Sequence, residues 1–167
     1  LKHENNAGIQ GFIFNTRKKV FQSKKVRKAI TLAFDFDWSN RNLFYNQYQR
    51  CTNYFSNSEL SAGNSPTINE IKMAKSLDIS SSKIKNKDLT FISRSDNFRE
   101  NLIKAKKIFD DLGWKVRDNV LHDNNGRPIE FDFLLAQKGF ERILAPFAKN
   151  LKKLGIKLNY RTIDVSL

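Results

Sequence analysis

The side chains able to do chemistry are few and scattered. Asp35 and Asp37 stand two residues apart, a spacing that could pair carboxylates for acid–base work. Their place at the end of an apolar helical pattern points instead to helix termination or capping. His3 and His122 are too few for a histidine metal cluster, and Cys51 is alone, so neither a disulfide framework nor a thiolate metal site can form within the chain. Cys51 also lacks a nearby base to activate it as a nucleophile. No GxGxxG, Walker, HExxH or GxSxG pattern occurs. No catalytic, cofactor or metal centre is expected.

Recognition chemistry is better represented. Arg17, Lys18, Lys19, Lys24, Lys25, Arg27 and Lys28 form a basic run that nucleic acid could use. Only Phe21 interleaves it, and no RNP-type aromatic pair accompanies it, which favours a solvated face. Tyr54, Phe55, Asn57, Ser58 and Glu59 combine rings, amide, hydroxyl and carboxylate in one loop, suited to a peptide or small ligand; the alternative is a loop pinned by two buried rings. Gln137, Lys138, Gly139, Phe140 and Glu141 follow an expected central strand and open a helix. That is where α/β sheets place ligands, though a plain connection fits equally.

The elements that would carry these residues follow from periodicity. Gly11–Thr16 predicts a strand, and Ser23 a helix cap. Val26, Ala29, Ile30, Ala33 and Phe34 fall on one helical face. A break near Asp35–Asp37 precedes more helix over Trp38–Tyr48. Cys51–Thr67 is a long loop, Ile68–Leu77 a short helix, and residues 78–96 an irregular connecting segment. Asn97 with Glu100 resembles a capping box for a helix with Leu102, Ala105, Ile108, Phe109 and Leu112 on its apolar stripe, stopped by Gly113. Trp114–Arg117 and Asn119–His122 predict short strands around an Asp118-Asn119 turn, and Asn125-Gly126 predicts a type I′ turn. Ile129–Ala136 predicts an interior strand. Phe140, Ile143, Leu144, Phe147, Leu151 and Leu154 predict a helix kinked at Pro146 and closed by Gly155. Ile156–Ile163 predicts a final strand, completing a parallel crossover unit.

Composition sets the frame. The chain has 167 residues, 40% hydrophobic and 28% charged, which suits one domain with a sizeable core. Fourteen phenylalanines argue against whole-chain disorder. No apolar run reaches the roughly 20 residues a membrane helix needs. Thirty basic side chains against 17 acidic ones give +13, a charge that fits a polyanion partner. Lysine outnumbers arginine 20 to 10, and asparagine (18) and isoleucine (14) are also abundant, so A/T-rich codons are a rival cause. The chain starts Leu1-Lys2-His3 with no signal peptide, which suggests a removed N-terminus or a piece of something larger.

Three stretches resemble one family. GFIFNTRKKVFQSKKVRKAITLAFDFDW resembles the segment of extracellular solute-binding proteins of family 5 in which an Asn-bearing strand precedes V-R-x-A and a helix ending in Asp; here these are Asn15, Val26, Arg27, Ala29 and Asp35. NLIKAKKIFDDLGW resembles the family's A-x-x-L-L-x-x-A-G-W/Y helix, with Ala105, Gly113 and Trp114. FERILAPFAKNLKKLGIKLNYRTID resembles its helix–Leu-Gly-Ile–strand unit, with Leu154, Gly155 and Ile156. Phe34–Trp38, Leu43–Tyr45 and Tyr54–Leu60 add patterns similar to the oligopeptide and microcin C importers' binding components.

The resemblance implies an α/β fold: one lobe of a type II periplasmic-binding-protein fold, with a mixed sheet flanked by helices and a β-hairpin. Residues 1–167 would be one partial domain, most of the second lobe, with 1–16 a strand following the hinge crossing. The aspartate that clamps the ligand's α-ammonium in peptide-binding relatives would lie past Asp164. The implied function is capture of a peptide between two lobes and delivery to an inner-membrane ABC permease, in the periplasm, without catalysis, cofactor or metal. The partners would be peptide, permease and the missing first lobe, not nucleic acid. The alternatives are a basic nucleic-acid-binding module and an inactive remnant of a split transporter gene. The ligand-contact candidates are the Tyr54–Glu59 and Gln137–Glu141 loops.

Overall fold

The computed structural model describes residues 9–51, 53–56, 58–61, 65–80 and 98–163. They divide between two compact units: one drawn from 14–48 and 94–167, the other from 1–13 and 49–93.

The larger unit begins with a single helical turn, α1 (Lys19–Gln22), then α2 (Lys24–Leu32) and α3 (Phe36–Leu43). Val26, Ala29, Ile30 and Ala33 are buried as the periodicity requires, and Leu32 joins them. Ser23 occupies the cap position of α2, but its side chain makes no capping bond. Arg27 ties the two helices together instead: its Nη1 donates to the carbonyls of Phe21 (2.6 Å) and Gln22 (3.0 Å), which α1 leaves without helical partners. The helix expected over Trp38–Tyr48 stops at Leu43, where the chain turns through Tyr45 and Asn46, both left-handed.

Helix α5 (Phe98–Asp111) packs on α2, burying Ala105 and Phe109. The proposed cap Asn97 lies outside the described residues. Gly113 ends this helix with φ +78. Its N–H bonds Asp110 (2.9 Å) and that of Trp114 bonds Phe109 (3.0 Å), the paired closure of a Schellman motif. The Trp114 ring then stacks on Phe109 at 5.4 Å and 12°, covering the last turn.

Strands β1 (Lys115–Arg117) and β2 (Val120–His122) form the antiparallel hairpin. Its turn residues Asp118 and Asn119 both have positive φ, so the type I′ turn is here. Asn125-Gly126, where that turn was expected, takes another form: only Gly126 is left-handed. The Asp123 carboxylate accepts from the N–H groups of Asn125 and Arg127, which selects this wider turn.

Strand β3 (Glu130–Leu135) pairs in parallel with β4 (Lys157–Thr162), and α6 (Glu141–Lys153) connects them. Among the described residues β3 pairs only with β4, and its exposure alternates along the strand, so the interior position expected for it is not observed. The α/β class holds, with the parallel and antiparallel pairings in separate two-stranded sheets. Leu144, Leu151 and Ile156 are fully buried beneath α6 and β4. Pro146 lies inside the helix, which runs through it to a second Schellman closure at Gly155.

In the smaller unit, α4 (Ile68–Ser76) carries a capping box in which Thr67 and Glu70 exchange bonds. Asp78, left-handed, closes it. The expected strand over Gly11–Thr16 does not form among the described residues: half-buried Phe12 and Phe14 alternate with exposed neighbours, and the Phe14 ring packs on Phe21 at 5.3 Å. A strand needs a ladder partner, which periodicity cannot supply. Most of residues 78–96 lies outside the described residues. No helix among the described residues is long and apolar enough to cross a membrane.

Candidate functional site

The carboxyl edge of the parallel pair is the most developed site. β3 ends at Leu135, whose carbonyl accepts from Ile163 (2.8 Å), and the chain then enters a 3₁₀ turn over Lys138–Phe140. Gln137 and Lys138 are exposed, while Phe140 and Glu141 are half-buried. The Thr162 hydroxyl donates to Glu141 Oε1 (3.1 Å), joining the end of β4 to the start of α6. A side chain added at Gly139 would meet nothing within 4 Å, so this turn is not drawn tight around a small group. The structure therefore brings Gln137, Lys138, Phe140 and Glu141 together in one open turn.

Three residues outside the expected set border it. Arg142 places its guanidinium 5.6 Å from the Phe44 ring centroid, and that ring packs on Tyr48 at 4.5 Å. The Asn40 carboxamide fixes the turn, donating to the Tyr48 carbonyl (2.7 Å) and accepting from its N–H (3.0 Å). The Leu43–Tyr45 pattern was visible in the sequence, but nothing local relates it to Arg142, about a hundred positions away.

The other expected loop belongs to the smaller unit. Asn53 organises it: its side chain accepts from the Phe55 N–H (2.9 Å) and donates to Ser61 (3.1 Å), while its N–H and carbonyl bond the Ser56 hydroxyl. Tyr54 and Phe55 meet edge-to-face at 5.8 Å and are exposed within that unit, so buried rings do not pin the loop. Side-chain bonds to backbone hold it instead. Ser58 bonds the Phe55 carbonyl, Glu59 is exposed, and Asn57 lies outside the described residues.

The motif residues have local architectural tasks. Asn15 accepts from Arg17 and Lys18 at the entry to α1. Asp35 caps α3 through the Trp38 N–H (3.0 Å), as expected, and Asp37 lies exposed in its first turn. Arg27 turns toward carbonyls and is removed from the basic run. Gly113, Trp114 and Gly155 close helices. His122 contacts the Val120 carbonyl through Nδ1 (2.9 Å), and Cys51 is exposed. Among the described residues no group of three or more His, Cys, Asp or Glu side chains could hold a metal ion.

With this geometry in hand, comparison with known proteins decides the family. The model of bacterial extracellular solute-binding proteins, family 5 (middle region), matches residues 2–166. The chain belongs to that family. An uncharacterised protein of Escherichia coli K12, YejA, is 34% identical over 169 residues, covering 99% of this chain and 28% of its own. The probable peptide-binding protein YejA of Agrobacterium fabrum is 34% identical over 165 residues, covering 95% and 26%. The chain thus spans about a quarter of the length of these family 5 relatives. The oligopeptide-binding protein AppA of Bacillus subtilis, solved with a nonapeptide, superposes with a TM-score of 0.66 at 22% identity, over 92% of this chain and 26% of AppA. Family 5 membership and this superposition establish the fold as that of type II periplasmic binding proteins.

Proposed function

We propose that this chain is most of the second lobe of a peptide-binding component of an ABC importer. The match to family 5 across residues 2–166 carries the reading. The open turn at the carboxyl edge of β3 and β4 supports it, because that edge presents Gln137, Lys138, Phe140 and Glu141 without a tight cradle for a small group. In this reading the whole protein works in the periplasm. A first lobe supplies the other wall of the cleft, hinge closure buries a peptide, and an inner-membrane permease receives it. No chemical step is involved. Tyr54, Phe55, Asn57, Ser58 and Glu59 are proposed as additional peptide contacts.

Calorimetry tests this. The protein expressed from its complete natural reading frame should bind members of a mixed tri- to nonapeptide pool, and these 167 residues alone should bind them weakly or not at all, with half the cleft missing. Tight peptide binding by the 167 residues, or none by the full-length protein, would overturn the reading. A parallel titration with DNA should give only weak binding with a shallow salt slope.

A further inference from the structure

We infer that the Phe44–Tyr48 turn, together with Arg142 and Lys138, is a ligand subsite for a carboxylate flanked by an aromatic or other apolar side chain. This deepens the peptide reading above and rests on it for the identity of the natural ligand.

The cationic half comes from α6. Arg142 places its guanidinium carbon over the Phe44 ring, 5.6 Å from the centroid. A guanidinium's N–H groups lie in its own plane, where they can grip a carboxylate with two parallel bonds. Among the described residues no ion pair engages Arg142 or Lys138. Glu141, the acid adjacent in sequence, is joined to the Thr162 hydroxyl. Among the described residues, these two cations therefore have no acidic partner at the edge where parallel strands place ligands.

The apolar half comes from the turn. Tyr45 and Asn46 are both left-handed, at φ 51 and 60, an unfavourable conformation for a tyrosine. The conformation leaves Tyr45 81% exposed and Tyr48 44% exposed, so it adds little to the core. Asn40 nevertheless holds the Tyr48 backbone by two bonds. A turn so held, with two tyrosines in solvent and a third ring beneath the guanidinium, suits an apolar side chain laid beside its own carboxylate.

The probe is N-acetyl-phenylalaninate, titrated into the isotopically labelled 167-residue chain and followed by backbone amide shifts. Shifts should concentrate at residues 44–48 and 138–142 with millimolar affinity. N-acetyl-phenylalaninamide, which lacks the carboxylate, and the variants Arg142→Gln and Tyr45→Ala should each weaken binding about tenfold. Both variants replace exposed side chains, and undisturbed shifts elsewhere will show that they fold. No response at 44–48 and 138–142, or a response indifferent to both variants, overturns the inference. If the full-length protein binds peptides while the probe leaves this turn untouched, the inference fails and the peptide reading stands. If the probe binds here but the full-length protein takes no peptide, the subsite stands and the peptide reading fails.

Discussion

The Leu121 N–H donates to the Gly155 carbonyl at 2.8 Å, fastening the hairpin to the residue that ends α6. Gly155 is thus constrained twice. Its φ of +78 disfavours any side chain, and an added Cβ would lie 2.7 Å from the Leu121 nitrogen. The Leu121 carbonyl in turn accepts from Ile129 (2.8 Å), and the Ile129 carbonyl from Lys157 (3.2 Å). One chain of bonds links α6, the hairpin and both parallel strands.

Gly155→Ala should therefore cost about 3 kcal/mol or more, from backbone strain and the displaced hydrogen bond. Gly126→Ala provides the control. Its φ is +74, but nothing lies within 4 Å of the new Cβ, so about 1 kcal/mol is expected. Urea unfolding of the two variants measures the difference, and equal losses would remove the close-approach argument.

Arg27→Lys keeps the charge but loses the group that reaches the Phe21 and Gln22 carbonyls together. A loss of about 1–2 kcal/mol is expected. Lys24→Gln, on the exposed face of the same helix, should stay within about 0.5 kcal/mol. Similar urea midpoints for the two variants would return Arg27 to the solvated basic run.

Asp123 makes the wider turn that follows β2 pH-sensitive. The Arg127 N–H is the main influence and holds the carboxyl below the ordinary value of 3.8; desolvation opposes it, and the Asn125 N–H adds a smaller lowering effect. A depressed carboxyl contributes stability that is present above the unfolded value and lost as pH falls through the folded one. The loss belongs below about pH 4. Asp123→Asn retains an acceptor oxygen but cannot titrate. The stability gap between wild type and variant should shrink from pH 6 to pH 2 in urea titrations; parallel profiles would exclude the effect.

Much of the larger unit was legible in local spacing. The stripes through Val26–Ala33 and Ile143–Leu154 announced α2 and α6 because helical neighbours lie three or four residues apart. Gly113 and Gly155 announced the helix ends because only a left-handed residue closes them so readily. The carboxyl-edge turn was legible from the order of strand, short connection and helix.

The misplaced features depend on partners distant in sequence or on competing side-chain bonds. Gly11–Thr16 has a strand's composition but is not in a strand in the structure. Asn125-Gly126 has the stronger type I′ signature, yet the Asp123 carboxylate selects a different turn there, while the turn expected at Asp118-Asn119 takes the type I′ form. Asn101 falls on the buried side of α5, with no partner for its Oδ1 among the described residues, which a polar residue in a helical pattern does not reveal. By itself the sequence determined that α2, α5 and α6 are helical, which faces they bury and where they stop, because those preferences act within one or two turns. Only the tertiary structure decided that Arg27 faces inward, that Gly155 receives the hairpin and that Arg142 meets Phe44, because each joins groups whose proximity is set by packing.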